Sequence, residues 1–189
     1  MLHANHTVDT QIVRRVLWPP QSAVHPSVWA VLDFARDPRI ETILRESGLD
    51  FSCLYSEHTP QELKAAAPHM VELRPGQQFV DQLLVEGYGK SWAIFAKTTT
   101  PAALRLHLRK LLKVVDEAGR TLLFRFYDPR VLGAFLPTCD TSQIQTLFGP
   151  VDSFCFEKEF TQDFQSFRLN SAGNLDVTTT SVFRKDHCL

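Results

Sequence analysis

The chain has 189 residues, which suits one domain or one domain with an appendage. Its hydrophobic share is 44%, its charged share 22% and its formal net charge −1, so there is apolar material for a core and no overall bias toward nucleic acid or acidic membranes. No apolar run approaches the roughly 18 residues of a membrane span.

The first residues, Met1 to His6, do not read as a signal peptide, because a charged start followed by an apolar stretch is missing. Residues 1–27 read as an arm on the domain. Gln11 to Trp18 suits a short helix or strand, and Pro19, Pro20 and Pro26 interrupt it. The core domain is expected over 28–160. Val28 to Phe34 is a near-continuous apolar run of strand length, as in a strand covered on both faces. Asp37-Pro38 opens a helix carrying Ile40, Ile43 and Leu44, and Gly48 ends it. Phe51 to Tyr55 is a second strand. Thr59-Pro60-Gln61-Glu62 offers a cap, a first-turn proline and a capping-box glutamate.

His69 to Leu73 is a third strand, and Gln77 to Val85 a helix stopped by Gly87 and Gly89. Ser91 to Ala96 is a fourth strand. Thr100-Pro101 begins the longest helix, expected to end near Asp116, before a turn through Glu117 and Gly119. Thr121 to Tyr127 is a fifth, buried strand. Asp128-Pro129 caps the next helix, Thr141 to Phe148 is another, and Val151 to Phe160 is a sixth strand. This alternation predicts a single α/β domain with a mixed, mostly parallel sheet flanked by helices. Residues 161–189 are polar, with Asn170 to Asn174 as a turn, and read as a hairpin or as a tail ordered by a partner.

Few residues suggest chemistry. Gly87-Tyr88-Gly89-Lys90-Ser91 ends like a phosphate-binding loop, but a helix precedes it and a strand follows, the reverse of the order that presents N–H groups to phosphate. His3 and His6 have ligand-like spacing near the terminus. His25, His58, His69, His107 and His187 are dispersed, so no metal site is expected. Cys53, Cys139, Cys155 and Cys188 lack paired spacing and read as small hydrophobes or free thiols, in keeping with the cytoplasm. A small cytoplasmic enzyme with a thiol or carboxylate site assembled by the fold stays open as an alternative, as does a protein that binds its own kind.

Two charges interrupt apolar strands, Asp33 and Arg125. Burial of either demands a partner, so the pair is expected to meet across the sheet and hold its register. Asp128 reads as an N-cap, and it also follows a strand, where ligand-binding residues gather in α/β sheets. In the long helix Leu104, Leu108, Leu111, Leu112 and Val115 form one stripe. Arg105, Arg109, Lys110 and Lys113 fall opposite, with Leu106 among them. That side is either a solvated charged face or a surface for an acidic partner. Phe164 and Phe167 stand in the polar C-terminal segment, where exposure would mark a contact site.

Several ordered segments carry a family resemblance from about Trp29 to about Glu157. Ala30-Val31-Leu32-Asp33 and Cys53-Leu54-Tyr55 resemble the first two strands of the type VI secretion effector chaperones. Pro68 to Leu73 is similar to the family's third. Gly87-Tyr88-Gly89-Lys90-Ser91-Trp92 resembles its Gly-Trp-Gly-Lys-Ser-Trp-Gly pattern, with Tyr88 and Ala93 as departures. Leu104 to Lys110 looks like its basic helix, and Phe124-Arg125-Phe126-Tyr127-Asp128-Pro129-Arg130 is the strongest match. The resemblance implies a non-catalytic adaptor in the donor bacterium's cytoplasm, one that binds a cognate effector toxin and assists its loading onto the VgrG spike. It implies no cofactor, nucleic acid or membrane partner. Asp33, Lys90, Trp92, Arg125, Tyr127, Asp128 and Arg130 are then the motif's structural residues. The residues expected to contact a partner are Arg105, Leu106, Arg109, Lys110, Lys113, Phe164 and Phe167.

Overall fold

The structure is a computed structural model that describes residues 8–20, 25–64, 66–116, 118–161 and 163–183. His3, His6, Glu117, His187 and Cys188 lie outside the described residues, as does the Glu62 side chain expected to close a capping box. The elements in chain order are α1 (Thr10–Leu17), β1 (Ser27–Asp33), α2 (Arg39–Glu46), β2 (Phe51–Cys53), α3 (Gln61–Lys64) and β3 (Pro68–Leu73). They continue as α4 (Gln78–Gly87), β4 (Ala93–Thr98), α5 (Pro101–Leu111), β5 (Lys113–Val115), β6 (Thr121–Leu123) and α6 (Pro129–Phe135). A short 3-10 turn, Leu136–Thr138, precedes α7 (Thr141–Phe148), β7 (Ser153–Glu157), β8 (Phe164–Leu169) and β9 (Leu175–Thr180).

Seven strands form one sheet in the order β2-β3-β1-β4-β7-β8-β9, and each neighbouring pair is antiparallel. The mostly parallel sheet expected from the strand–helix alternation is therefore corrected. The alternation does describe crossovers: β1 and β2 run the same way, as do β3 and β4. But α2 carries the chain over β3, and α4 carries it over β1. An antiparallel strand thus sits inside each crossover. Periodicity along one segment reports its burial, not its neighbour.

The near-continuous apolar strands are covered on both faces, as expected. Along β1, Val28, Ala30 and Leu32 meet α1, α2 and α4. Val31 points the other way, to the core built by α5, α6 and α7. In β4, Phe95 joins the first core, while Ile94 and Ala96 join the second. The N-terminal segment is more than an arm: α1 buries Val13 and Leu17 fully in the first core. Asp9 caps α1, its carboxylate accepting the Gln11 N–H. Arg14 ties the helix to α4 through Asp81 at 2.8 Å and the Gln77 carbonyl at 3.1 Å.

The C-terminal segment is a hairpin. β8 adds to β7 and β9 adds to β8, in register from Glu157↔Phe164 and Leu169↔Leu175. Phe156 stacks on Phe167 with ring centroids 4.8 Å apart. Val182 returns to the first core, and its carbonyl accepts the Asp9 N–H at 2.7 Å, so the two ends of the described chain meet. Among the described residues no helix is long and apolar enough to cross a membrane.

Two boundaries differ from the sequence reading. The long helix ends at Leu111, and Lys113–Val115 leaves it as β5. Val115, placed on the apolar stripe, is exposed. The expected fifth strand shrinks to Thr121–Leu123, which pairs with β5 apart from the main sheet. Phe124 to Tyr127 depart from it, with Phe126 and Tyr127 buried in the second core and Arg125 bonded to Asp33.

Leu17→Ala should lower stability by about 2–5 kcal/mol if α1 belongs to the cooperative core. Urea unfolding measures this, and a change within about 0.5 kcal/mol would place α1 outside that core.

Candidate functional site

Antiparallel register brings one end of several strands together. Asp33 ends β1 opposite Pro68, Leu32 lies opposite Ala93, and Glu157 ends β7 beyond Cys155 and its partner Phe95. The residues of the family motifs gather at this end.

Asp33 is fully buried. Its N–H donates to the Trp92 carbonyl at 3.0 Å, its Oδ2 accepts from Arg125 at 2.5 Å, and its Oδ1 accepts the Ala35 N–H at 3.1 Å. The pairing of Asp33 with Arg125 is as expected, but its role is different. Arg125 is not in the sheet, so the pair clamps the 124–128 segment to the end of β1. The guanidinium lies over the Tyr127 ring at 5.6 Å, with its side chain 41% exposed. Burial pushes the Asp33 carboxyl above its ordinary range, and Arg125 only partly offsets this.

The Asp128 N–H donates to the Arg125 carbonyl at 3.0 Å and closes the turn. Its carboxylate caps α6 through the Arg130 N–H and takes a two-pronged bond from that guanidinium, at 3.0 and 2.6 Å. Burial alone would raise this carboxyl, yet the bonds from Arg130 hold it below the usual range. The cap reading of Asp128 is thus the one the structure bears out. Tyr127 hydrogen-bonds Tyr55, and burial raises its hydroxyl pKa.

The glycine-rich segment is an anion cradle filled from within. The Gly89 N–H donates to Glu157 Oε2, and the Ser91 N–H donates to Oε1 at 2.5 Å. Gly89 adopts φ +79°, while Ser91 adopts φ +57°, a region that side chains disfavour. Gly87 is required for another reason: a Cβ there would lie 2.7 Å from Trp92 Cε3. Trp92 is flanked by Arg39 and Lys90, with charges 5.2 and 5.3 Å from its ring. Lys90 donates to the Glu86 carbonyl. Burial raises the Glu157 carboxyl, against the pull of the two backbone donors. The importance of Glu157 was missed in the sequence, where it closes an ordinary aromatic strand 66 residues from Ser91.

Asp33 pairs with Arg125 and Asp128 with Arg130, while Glu157 and Lys90 are engaged by backbone groups. Two thiols have internal partners as well. Burial pushes Cys155 and Cys139 up, and they donate to Ser166 and to the Phe135 carbonyl. His69 and His107 bond the Ala67 and Leu147 carbonyls, and burial lowers both. Among the described residues no group of three or more His, Cys, Asp or Glu is arranged to hold a metal.

The open surface lies beside this cluster. Leu104, Leu108 and Leu111 bury one side of α5, while Leu106 is 60% exposed. Arg105 reaches the Cys53 carbonyl at 3.4 Å. Arg109, Lys110 and Lys113 line a groove of about 590 Å³ with Leu54, Tyr55, Leu112 and Leu123. The β5–β6 hairpin walls it, exposing Val115, Leu122 and Leu123, which the sequence pattern assigns to a packed stripe and to a buried strand. Phe164 and Phe167 are not contact residues: both are buried, one in each core, because the segment pairs as a strand. Among the described residues Phe160 is the exposed aromatic instead, 94% accessible at φ +68°.

Residues 28–146 match the family described as the domain of unknown function DUF4123, and the chain belongs to that family. The matched stretch runs from β1 into α7 and holds Asp33, the glycine loop, α5, the hairpin and Arg125. No curated protein and no solved structure matches the chain.

Raised carboxyls set a sign. The folded state keeps the Asp33 and Glu157 protons longer than the unfolded chain, so their ionisation lowers stability as pH rises from the ordinary carboxyl range through their raised values. Arg125→Ala removes the cation favouring the Asp33 anion and widens that window upward. It should cost about 2–4 kcal/mol near neutral pH, below the figure for an enclosed pair because Arg125 keeps one side in water. Asp33→Asn should cost less, since Arg125 can return to water. Urea unfolding at about pH 5 and about pH 7.5 checks this: the Arg125→Ala deficit should shrink at the lower pH, and a constant deficit would refute it. Glu157→Gln presents an amide donor to one of the two N–H groups and should cost about 1–3 kcal/mol in the same assay.

Proposed function

We propose that this chain is a non-catalytic adaptor that binds a type VI secretion effector in the donor cytoplasm and assists its loading onto the VgrG spike. Family membership and the ordered motif resemblance support the reading. So does the use of the motif charges: Asp33, Arg125, Asp128, Arg130 and Glu157 are engaged with internal partners and build a scaffold.

One observation carries the proposal. Arg109, Lys110 and Lys113 have no ion-pair partner among the described residues, and they stand beside the exposed Leu106 and Leu123. Unpaired charge beside exposed apolar side chains is the makeup of a protein-binding surface with a polar rim. An adaptor that joins cargo to spike needs two faces. Phe160 follows β7, whereas the groove borders β2, on the far side of the sheet order. It supplies an exposed aromatic on that second side, held in a backbone conformation that a phenylalanine adopts only at a cost.

Co-expression of the tagged chain with the proteins encoded beside it tests the reading. Co-elution with a toxin-like neighbour on size exclusion is the expected outcome. Failure to bind any neighbour at micromolar concentrations would refute it. Phe160→Ser should leave the effector complex intact and weaken any ternary complex with VgrG, as read by pulldown.

A further inference from the structure

We propose that the groove between α5, the Leu54–Thr59 segment and the β5–β6 hairpin is the docking site for an acidic amphipathic helix of the carried protein. This deepens the adaptor reading and takes from it only that the partner is a protein.

Charge names the first half of the occupant. None of the residues lining the groove is acidic, while Arg109, Lys110 and Lys113 all reach it. A helix with carboxylates along its flanks supplies the missing sign, and like-charged segments are rejected. The walls name the second half. Leu54 and Leu112 form a buried floor, and Leu106 and Leu123 stand on the two rims, 60% and 56% exposed. An apolar stripe seated on that floor covers both rims at once. A phosphate backbone gains nothing from such a floor, so nucleic acid fits it poorly.

Geometry favours a helix over an added strand. Leu106, Arg109 and Lys110 follow helical spacing along α5, and Lys113 starts β5 just beyond its end. The three helical residues make a ridge of about one turn, roughly 6 Å long, against which a second helix packs ridge into groove. The opposite wall is incomplete without an occupant. An isolated two-stranded hairpin is marginal in water, and this one stands apart from the main sheet. Besides its ladder, its internal ties include the Asp116–Arg120 ion pair at 2.7 Å and the Asp116 and Arg120 backbone bonds near its turn, and the Phe124 N–H bond to the Leu112 carbonyl at 2.9 Å at its base. Lys113 and Leu123 are cross-strand partners and both line the groove, so an occupant would hold charge and apolar surface of the hairpin together.

The probe is a fluorescein-labelled synthetic peptide of about 18 residues, long enough to form a helix on the surface, with leucines on one face and glutamates flanking them. Controls are the same peptide with lysine for glutamate, a scrambled order of the acidic peptide, and a single-stranded DNA of equal length. Anisotropy titrations run at about 50 and about 200 mM salt, where screening separates the electrostatic share. The acidic amphipathic peptide should bind, more weakly at the higher salt. Lys110→Glu with Lys113→Glu should weaken it at least about tenfold, and Leu106→Ser with Leu123→Ser comparably. All four positions are exposed, and circular dichroism confirms that each variant is folded. No binding below about 100 μM, equal binding of the scrambled peptide, or DNA binding lost with the same variants would overturn the proposal.

Co-purification with the neighbouring toxin separates the two readings. If the complex forms and survives Lys110→Glu with Lys113→Glu, the groove proposal falls and the adaptor stands. If no complex forms while the peptide binds through these residues, the groove stands and the adaptor falls.

Discussion

The contact between Asp33 and Arg125 organises the rest of the molecule. A fully buried carboxylate at the end of a central strand is costly without a cation. Its cation comes from a segment 92 residues away that leaves β6 to reach it. That departure ends the hairpin at Leu123, turns Phe126 and Tyr127 into the second core, and sets Asp128 where it caps α6. The shape of the exposed surface is therefore a consequence of where one buried charge is neutralised. If Arg125 continued in a strand, β6 would extend past Leu123 and the groove would lose its free-standing wall.

Glu157 does comparable work at the same end of the sheet. A glycine-rich string that resembles a phosphate loop does bind an anion, but the anion is the protein's own carboxylate. The string follows a helix rather than opening one, so no helix terminus aims its N–H groups at a phosphate. Instead the positive backbone angles of Gly89 and Ser91 turn two N–H groups toward β7. Both devices hold loops onto strand ends with buried charge. The exposed apolar and basic side chains of α5 and its neighbouring hairpin stand apart from them.

The topology explains why that surface is available. With helices covering both faces of the sheet, the apolar faces of the strands are consumed within the fold. Among the described residues, the exposed large apolar side chains cluster in the short β5–β6 ladder, with Val114, Val115, Leu122 and Leu123, while Phe160 stands in the turn after β7 and Val85, Leu106 and Val177 stand singly.

The sequence by itself determined the strands that are buried on both faces, most helix starts, the need for a partner at Asp33 and Arg125, and the cap at Asp128. These follow from composition, spacing and cap chemistry within a few residues of each position. Only the tertiary structure decided the antiparallel order, because a crossover helix does not reveal the strand it passes over. It also decided that Phe164 and Phe167 are core: their polar neighbours mask the burial gained when β8 pairs with β7. The Glu157 cradle and the groove walls were beyond reach for the same reason. They join side chains from distant segments, and no local pattern records which segments the fold will bring together.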